Sequence, residues 1–176
     1  QFAQIDPSTT AEQDLVPSYG TIYNYDVFYA ENNALTYQID VTKKPGSRIV
    51  NLTYKGAPVA DGDDFIVATN DYRAGGGGAV PGIDGSKTII KSPDANQAVV
   101  SNYLASLSTK GGKVTLAANG SARSWSFVKT ATAGPVILRS APGHLALAQG
   151  SGITNVAAEG GLDASGFAKY RIDLSK

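Results

Sequence analysis

Two segments of alternating polarity, with a tight turn between them, constrain this fold most. In ALTYQIDV (34–41), Leu35, Tyr37, Ile39 and Val41 fall on one side, the period of a half-buried strand. Lys-Lys-Pro-Gly-Ser (43–47) then turns the chain. RIVNLTYKG (48–56) alternates again, with Ile49, Asn51 and Thr53 set against Val50, Leu52 and Tyr54, and ends at a Gly-Ala-Pro turn. After ADGDD comes FIVAT (65–69), a short apolar run that predicts a strand covered on both faces.

Strand-like KTIIK (87–91) leads into SPDANQAVVSNYLASLSTKGG (92–112), which carries helix signals at both ends. Ser92 is the N-cap candidate, Pro93 takes the first helical position, Asp94 complements the dipole, and Gly111 and Gly112 stop the run. Val99, Val100, Tyr103, Leu104 and Leu107 follow helical spacing, so one face is expected to pack on the sheet. Further strands are expected at KVTLA (113–117), SWSFVK (124–129), VILRSA (136–141) and KYRIDLS (169–175), with a short helix at HLALAQG ended by Gly150 and Gly152. Residues 1–34 hold no sustained period and read as an irregular segment anchored by aromatics, Tyr23, Tyr25 and Tyr29 among them. Strands and helices mix without strict alternation, which predicts one α/β (α+β-like) domain over residues 1–176, with a mixed β-sheet and packed helices.

Composition narrows the partners. Fifteen basic and fifteen acidic residues in 176 give no polycationic surface, so a nucleic-acid polymer is not expected as partner. No apolar run reaches the length of a membrane span, and no membrane partner is expected. The chain starts at Gln1 and has neither Met nor Cys, which reads as the product of processing or excision from something longer, with a weak vote for an extracytoplasmic home.

Catalytic constellations are sparse. His144 is the one histidine, so no metal cluster can be assembled around imidazoles, and none is expected in this chain. Ser140, His144 and Asp163 make a triad on paper, without the G-x-S-x-G elbow that would present the nucleophile. Asp-Gly-Asp-Asp (61–64) lacks calcium-loop spacing and reads as a solvated turn. No catalytic residue is assigned.

Four glycines after NDYRA (70–74) pose the sharper question. A phosphate loop needs Lys and Ser or Thr directly after its glycines, and a dinucleotide loop needs a helix opening inside it; here the run meets AVPG. What remains is Tyr72, placed at the end of the FIVAT strand beside backbone without side chains. Such a ring is half of a slot for a flat heterocycle, where stacking contributes about 1–3 kcal/mol per base. The competing reading packs Tyr72 in the core and leaves the glycines as a loop tip. Arg73 has two readings as well, as a ligand for phosphate or a base edge, or as the partner of Asp71 or Asp84.

RIVNLTYKGAPVADGDDFIVATNDYRAGGGG resembles the carboxy-terminal domain of the 5'-nucleotidase superfamily, whose pattern is an apolar strand, then A-T-N-x-(Tyr or Phe), then a Gly pair. YNYDVFYAENNALTYQIDVT, SPDANQAVVSNYL and the final YRIDLSK are similar to one branch, the periplasmic 2',3'-cyclic-nucleotide 2'-phosphodiesterase/3'-nucleotidases. The resemblance implies a hydrolase in which this domain binds a nucleotide or nucleoside between two rings, one of them at Tyr72, with Arg73, Ala74, Gly75, Gly76 and Gly77 lining base and ribose. It implies that the second ring lies upstream of QFAQID. The catalytic divalent metal pair would belong to an amino-terminal metallophosphoesterase domain absent from this chain, which would be inactive alone; the full protein would be exported to the periplasm. Gly75 stands where that branch usually has a bulky residue, and Gly77 and Gly78 stand where many 5'-nucleotidases place a ribose-binding Asp. The alternatives carried forward are the substrate domain of a 5'-nucleotidase and a non-catalytic binding module of the same fold.

Overall fold

A computed structural model describes residues 2–17, 30, 34–115 and 124–176. The chain divides into two compact units, one built from Gln1–Val59 and Arg123–Lys176, the other from Ala60–Ala122. The first contains two mixed sheets, as the α+β reading expects.

In the first sheet the order is β1 (Gln13–Asp14), β6 (Val136–Ser140), β8 (Ala168–Ile172), β7 (Val156–Leu162). β1 runs parallel to β6, while β8 is antiparallel to both of its neighbours. The second sheet has the order β4 (Ala57–Pro58), β3 (Ile49–Tyr54), β2 (Leu35–Ile39), β5 (Trp125–Phe127), with β5 parallel to β2 and the other pairs antiparallel. β2 and β3 are the two alternating segments of the sequence. Their ladder shifts by one residue between Thr36 and Gln38. Asn51 absorbs the shift at φ 53°, a left-handed conformation that Asn tolerates better than most residues, and its amide donates to the Gln38 side chain at 2.6 Å. Continuous alternation in RIVNLTY concealed that bulge.

One apolar core serves both sheets. Ile5, Leu15, Val16, Val41, Val136, Ile172 and Leu174 are buried in it, with Phe2, Ile39, Phe127, Leu138 and Val156 packed around them. Each fully buried aliphatic side chain contributes about 1.5–3 kcal/mol. Phe2, Trp125 and Phe127 add ring contacts, Phe127 meeting the other two edge-on at centroid distances of 5.1 and 5.4 Å. The N-terminal segment is therefore more than an irregular drape within its described residues 2–17. The Ile5 amide donates to the Val41 carbonyl at 2.8 Å, and the Leu15 amide to Ile137 at 2.8 Å, so the segment bonds to β6 and to the turn just past β2. Tyr23, Tyr25 and Tyr29, the anchors expected further along, lie outside the described residues.

Charge reinforces the same join. Arg139 and Lys169 are direct cross-strand partners, a like-charge pair that is unfavourable by itself. Glu12, Asp14 and Asp163 surround them: Arg139 pairs with Asp14, with Glu12 at 3.6 Å and with Asp163 at 3.4 Å, while Lys169 reaches Glu12 at 2.9 Å.

The second unit holds α1 (Asp71–Ala74) and α2 (Asn96–Thr109); α3 (Leu145–Gly150), in the first unit, is the expected HLALAQG helix. Several expectations are corrected in the second unit. FIVAT and KTIIK take no regular structure and are exposed, Ile66 by 87% and Ile90 by 81%. An apolar run becomes a strand only with a ladder beside it, and β4 folds back to occupy β3 just before FIVAT begins. The chain then turns at Ala60, whose amide is taken by the Asp63 carboxylate at 2.8 Å. Lys113, Val114 and Thr115 also form no strand, and the remainder of KVTLA lies outside the described residues.

Helix α2 forms, but it starts at Asn96 with Ala95 at the cap. The Ser92 hydroxyl is instead engaged with Asp94, at 2.9 Å to its carboxylate, a local bond that competes with capping. Its far end follows the sequence. Gly111, at φ 68°, donates to Ser108 and Gly112 donates to Leu107 at 2.8 Å, the paired closure of a Schellman motif. Val99, Val100, Tyr103 and Leu104 are exposed rather than packed on a sheet; their spacing is that of a face needing cover, and spacing alone does not supply the cover.

Candidate functional site

Tyr72 sits in α1 and the glycines follow directly at its C-terminal end, so the ring is not on a strand end. Asn70 provides the reason: its backbone is extended, at φ −80° and ψ 164°, and its side-chain oxygen accepts from the Arg73 amide at 2.9 Å, an N-cap with Asp71 favourably placed in the first turn. One turn later the helix closes. Gly76, at φ 99°, donates to the Arg73 carbonyl at 3.0 Å, and Gly77 donates to the Tyr72 carbonyl at 2.8 Å. This is again the Schellman pair, which needs a left-handed residue where Gly76 stands.

The remaining glycines answer to side chains. A Cβ built on Gly77 would lie 2.6 Å from both Cε atoms of Tyr72, so the ring lies directly against the Gly77 backbone. A Cβ on Gly78 would fall on the Arg73 guanidinium. Arg73 donates from Nη1 to the Gly77 carbonyl at 3.0 Å, with its guanidinium carbon 5.3 Å from the Tyr72 ring centroid. Residues 83–85 form the other side of the loop: a Cβ on Gly76 would meet the Ile83 carbonyl at 3.2 Å. Asp84 is tied down there by Ser86, whose hydroxyl and then amide hold its carboxyl below the ordinary range.

Two consequences follow. The amides of Gly75, Gly76 and Gly77 are bonded to Asp71, Arg73 and Tyr72 carbonyls, so they do not form the ring of free donors that a phosphate cradle requires. Tyr72 is 65% exposed, which removes the core-packing reading and leaves an aromatic surface open on a fixed backbone support. Tyr72, Arg73, Ala74, Gly75, Gly76 and Gly77 are thus brought together, with Ala74 the last residue of the helix before the glycine turn. Asn70 and Gly78 belong to the same construction and were missed. The signal for Asn70 was available, since Asn followed by Asp is a helix-start pattern.

Comparison with known proteins identifies the family. The sequence profile of the 5'-nucleotidase C-terminal domain matches residues 12–84, a span that contains both Tyr72 and the glycine run. This chain carries a 5'-nucleotidase C-terminal domain. The 2',3'-cyclic-nucleotide 2'-phosphodiesterase/3'-nucleotidase of Haemophilus influenzae is 33% identical to it over 99% of the chain, and the protein of that name from Salmonella typhimurium is 33% identical over all of it. A trifunctional nucleotide phosphoesterase of Bacillus subtilis is 37% identical over 59% of the chain. The chain spans 28% of the length of the first two relatives and 8% of the third. No solved structure matches.

Elsewhere in the chain the other candidates resolve into structural roles. Ser140 Oγ and His144 Nδ1 are 3.2 Å apart, and His144 is the residue just before α3, at its N-cap. Asp163 does not complete a triad. Its carboxylate accepts from the Ser165 and Phe167 amides at 2.9 and 3.0 Å and pairs with Arg139, which fixes the β7–β8 turn. Asp61, Asp63 and Asp64 lie on an exposed turn, as their spacing implies. Among the described residues no group of three or more His, Cys, Asp or Glu side chains could hold a metal ion, and no helix is long and apolar enough to cross a membrane.

Proposed function

We propose that this chain is the nucleotide-recognition domain of a metal-dependent phosphoesterase that hydrolyses 2',3'-cyclic nucleotides and 3'-nucleotides. The observation that carries the reading is the exposed Tyr72 ring, fixed against a glycine backbone, inside a chain alignable end to end with enzymes of that name. Base or nucleoside would stack on Tyr72, with the Ala74–Gly77 backbone as a wall that presents no side chain. The donor set of the described residues does not suit a metal pair, so the metal centre and the activation of water belong to a separate metallophosphoesterase domain in this reading. This chain's contribution is to hold the substrate, which converts binding energy into orientation at phosphorus. Export to the periplasm belongs to the same reading and is tested by fractionating cells that express the full protein.

In the full-length enzyme, Tyr72→Ala is expected to raise KM for 3'-AMP by about 5- to 150-fold, the equivalent of about 1–3 kcal/mol of lost stacking, with a smaller fall in kcat. An unchanged KM would remove Tyr72 from the site. The isolated chain is expected to be inactive, and hydrolysis of cyclic nucleotides by it in a chelator would overturn the division of roles. A second reading, the substrate domain of a 5'-nucleotidase, is favoured by the family description itself. Comparing 3'-AMP, 5'-AMP and 2',3'-cyclic AMP as substrates of the full enzyme separates the two.

A further inference from the structure

We propose that Arg73 is a positioning residue which braces the Tyr72 ring, and that it does not read the phosphate of the ligand. The inference rests on the nucleoside-binding role proposed for Tyr72. Four contacts carry it. The Arg73 amide is held by the Asn70 side chain at 2.9 Å, which fixes where the side chain leaves the helix. Its Nη1 donates to the Gly77 carbonyl at 3.0 Å, closing the loop that the Gly77 amide closes from the other end by bonding to Tyr72. Its guanidinium carbon lies 5.3 Å from the Tyr72 centroid, within range of a cation–π contact. Gly78, at φ 80°, leaves the space that the guanidinium fills.

Guanidinium chemistry suits this task. A planar guanidinium can donate in its own plane while laying its face or edge along a ring, whereas a lysine ammonium is a compact point charge on a flexible stem, with no plane to stack and less to hold the ring in one orientation. The brace also gives Gly78 a purpose that neither phosphate binding nor ribose binding provides. A ring held in one orientation before the ligand arrives loses less conformational freedom on binding, so the brace acts on nucleoside affinity through Tyr72.

The test uses the 176-residue chain and two readouts. First, the Tyr72 ring should shift the Gly77 Hα resonances by its ring current without any ligand present. Arg73→Ala, Arg73→Lys and Gly78→Ala are each expected to reduce that shift, while resonances of the β2–β3 pair report that the chain remains folded. Second, adenosine and 3'-AMP are titrated against each protein. Arg73→Ala is expected to weaken both ligands by the same factor, about five- to tenfold, and Gly78→Ala to do likewise although it keeps the Arg73 charge. The double variant should be no weaker than either single one, because both remove one brace.

A loss confined to 3'-AMP would overturn the proposal and make Arg73 a phosphate ligand. An unchanged ring-current shift in Arg73→Ala would overturn it as well. If the unaltered chain bound neither adenosine nor 3'-AMP, the titrations are made on the full-length protein, which would supply the second ring; absence of binding there would remove the nucleoside role of Tyr72, and the ring-current comparison would still decide whether Arg73 braces the ring.

Discussion

Replacing Arg139 by Met tests how the N-terminal segment is joined to the first sheet. The guanidinium is 20% exposed, and the carboxylates of Asp14, Asp163 and Glu12 that face it are 29, 21 and 38% exposed. Fully exposed ion pairs contribute about 0.2–1 kcal/mol each, and partial burial moves these towards the upper end. The Met side chain retains the packing of the stem, so the charge contribution is isolated. Three carboxylates would then face Lys169 alone, and the combined cost should be about 2–3 kcal/mol. Urea unfolding at low salt is the assay, repeated near 1 M salt, where the screening length of about 3 Å should shrink the difference. Amide exchange gives a local readout: Gln13 and Leu15, which donate to Pro135 and Ile137 at 3.0 and 2.8 Å, should lose protection before the β6–β8 ladder does. A change below about 0.5 kcal/mol, or one that salt does not alter, would refute the electrostatic account and leave the join to the backbone bonds and the apolar packing of the segment.

Ile137 is fully buried, with 0% exposure, so Ile137→Ala should cost about 2–5 kcal/mol in the same unfolding assay. Gly111→Ala meets no atom within 4 Å but places a Cβ at φ 68°; loss of about 1 kcal/mol should appear as fraying of the last turn of α2 in backbone chemical shifts. The Asp173 carboxyl is lowered to about 2, first by the Ser175 hydroxyl, then by the Ser175 amide and Lys176. A folded-state value below the ordinary 3.8 means that this turn is fully favoured above 3.8 and loses its advantage as pH falls through about 2; the Ser175 amide resonance should titrate in that window.

What the sequence disclosed depended on whether the deciding interaction was local. β2 and β3 announced themselves because alternation of Leu35, Tyr37 and Ile39 is a property of the segment itself, and Gly111 and Gly112 ended α2 because left-handed backbone at a helix terminus is a local demand. β7 gave no signal. Its Val-Ala-Ala-Glu-Gly-Gly-Leu has almost no strand-forming residues, and its pairing is set by β8, with Gly160 at φ 69° where the register slips. β1 is two residues long and exists because Leu15 and Val16 are buried beside it. FIVAT failed in the opposite sense, since its apolar run met every local criterion for a strand while the ladder position on β3 was already taken by Ala57–Pro58. At the candidate site, the closeness of the ring to the glycines was legible from their adjacency in sequence, whereas the helix that carries the ring depended on reading Asn70 as a cap rather than as the end of a strand.

The three helices of the described residues close in the same way, and that common closure explains what is particular about the site. In α2 the two bonds run from Gly111 and Gly112 to Ser108 and Leu107; in α3 they run from Gly152 and Ile153 to Gln149 and Ala148; in α1 from Gly76 and Gly77 to Arg73 and Tyr72. The motif brings the residue before the last turn against the second residue beyond the helix, where apolar side chains commonly meet. In α1 that pair is Tyr72 and Gly77. Because the second partner has no side chain, the ring rests on bare backbone and keeps its remaining surface for something else, instead of spending it on a neighbouring side chain. The glycine run is therefore first a helix terminator, and the exposed ring on bare backbone is what that terminator becomes when an aromatic residue precedes it and Gly77 follows.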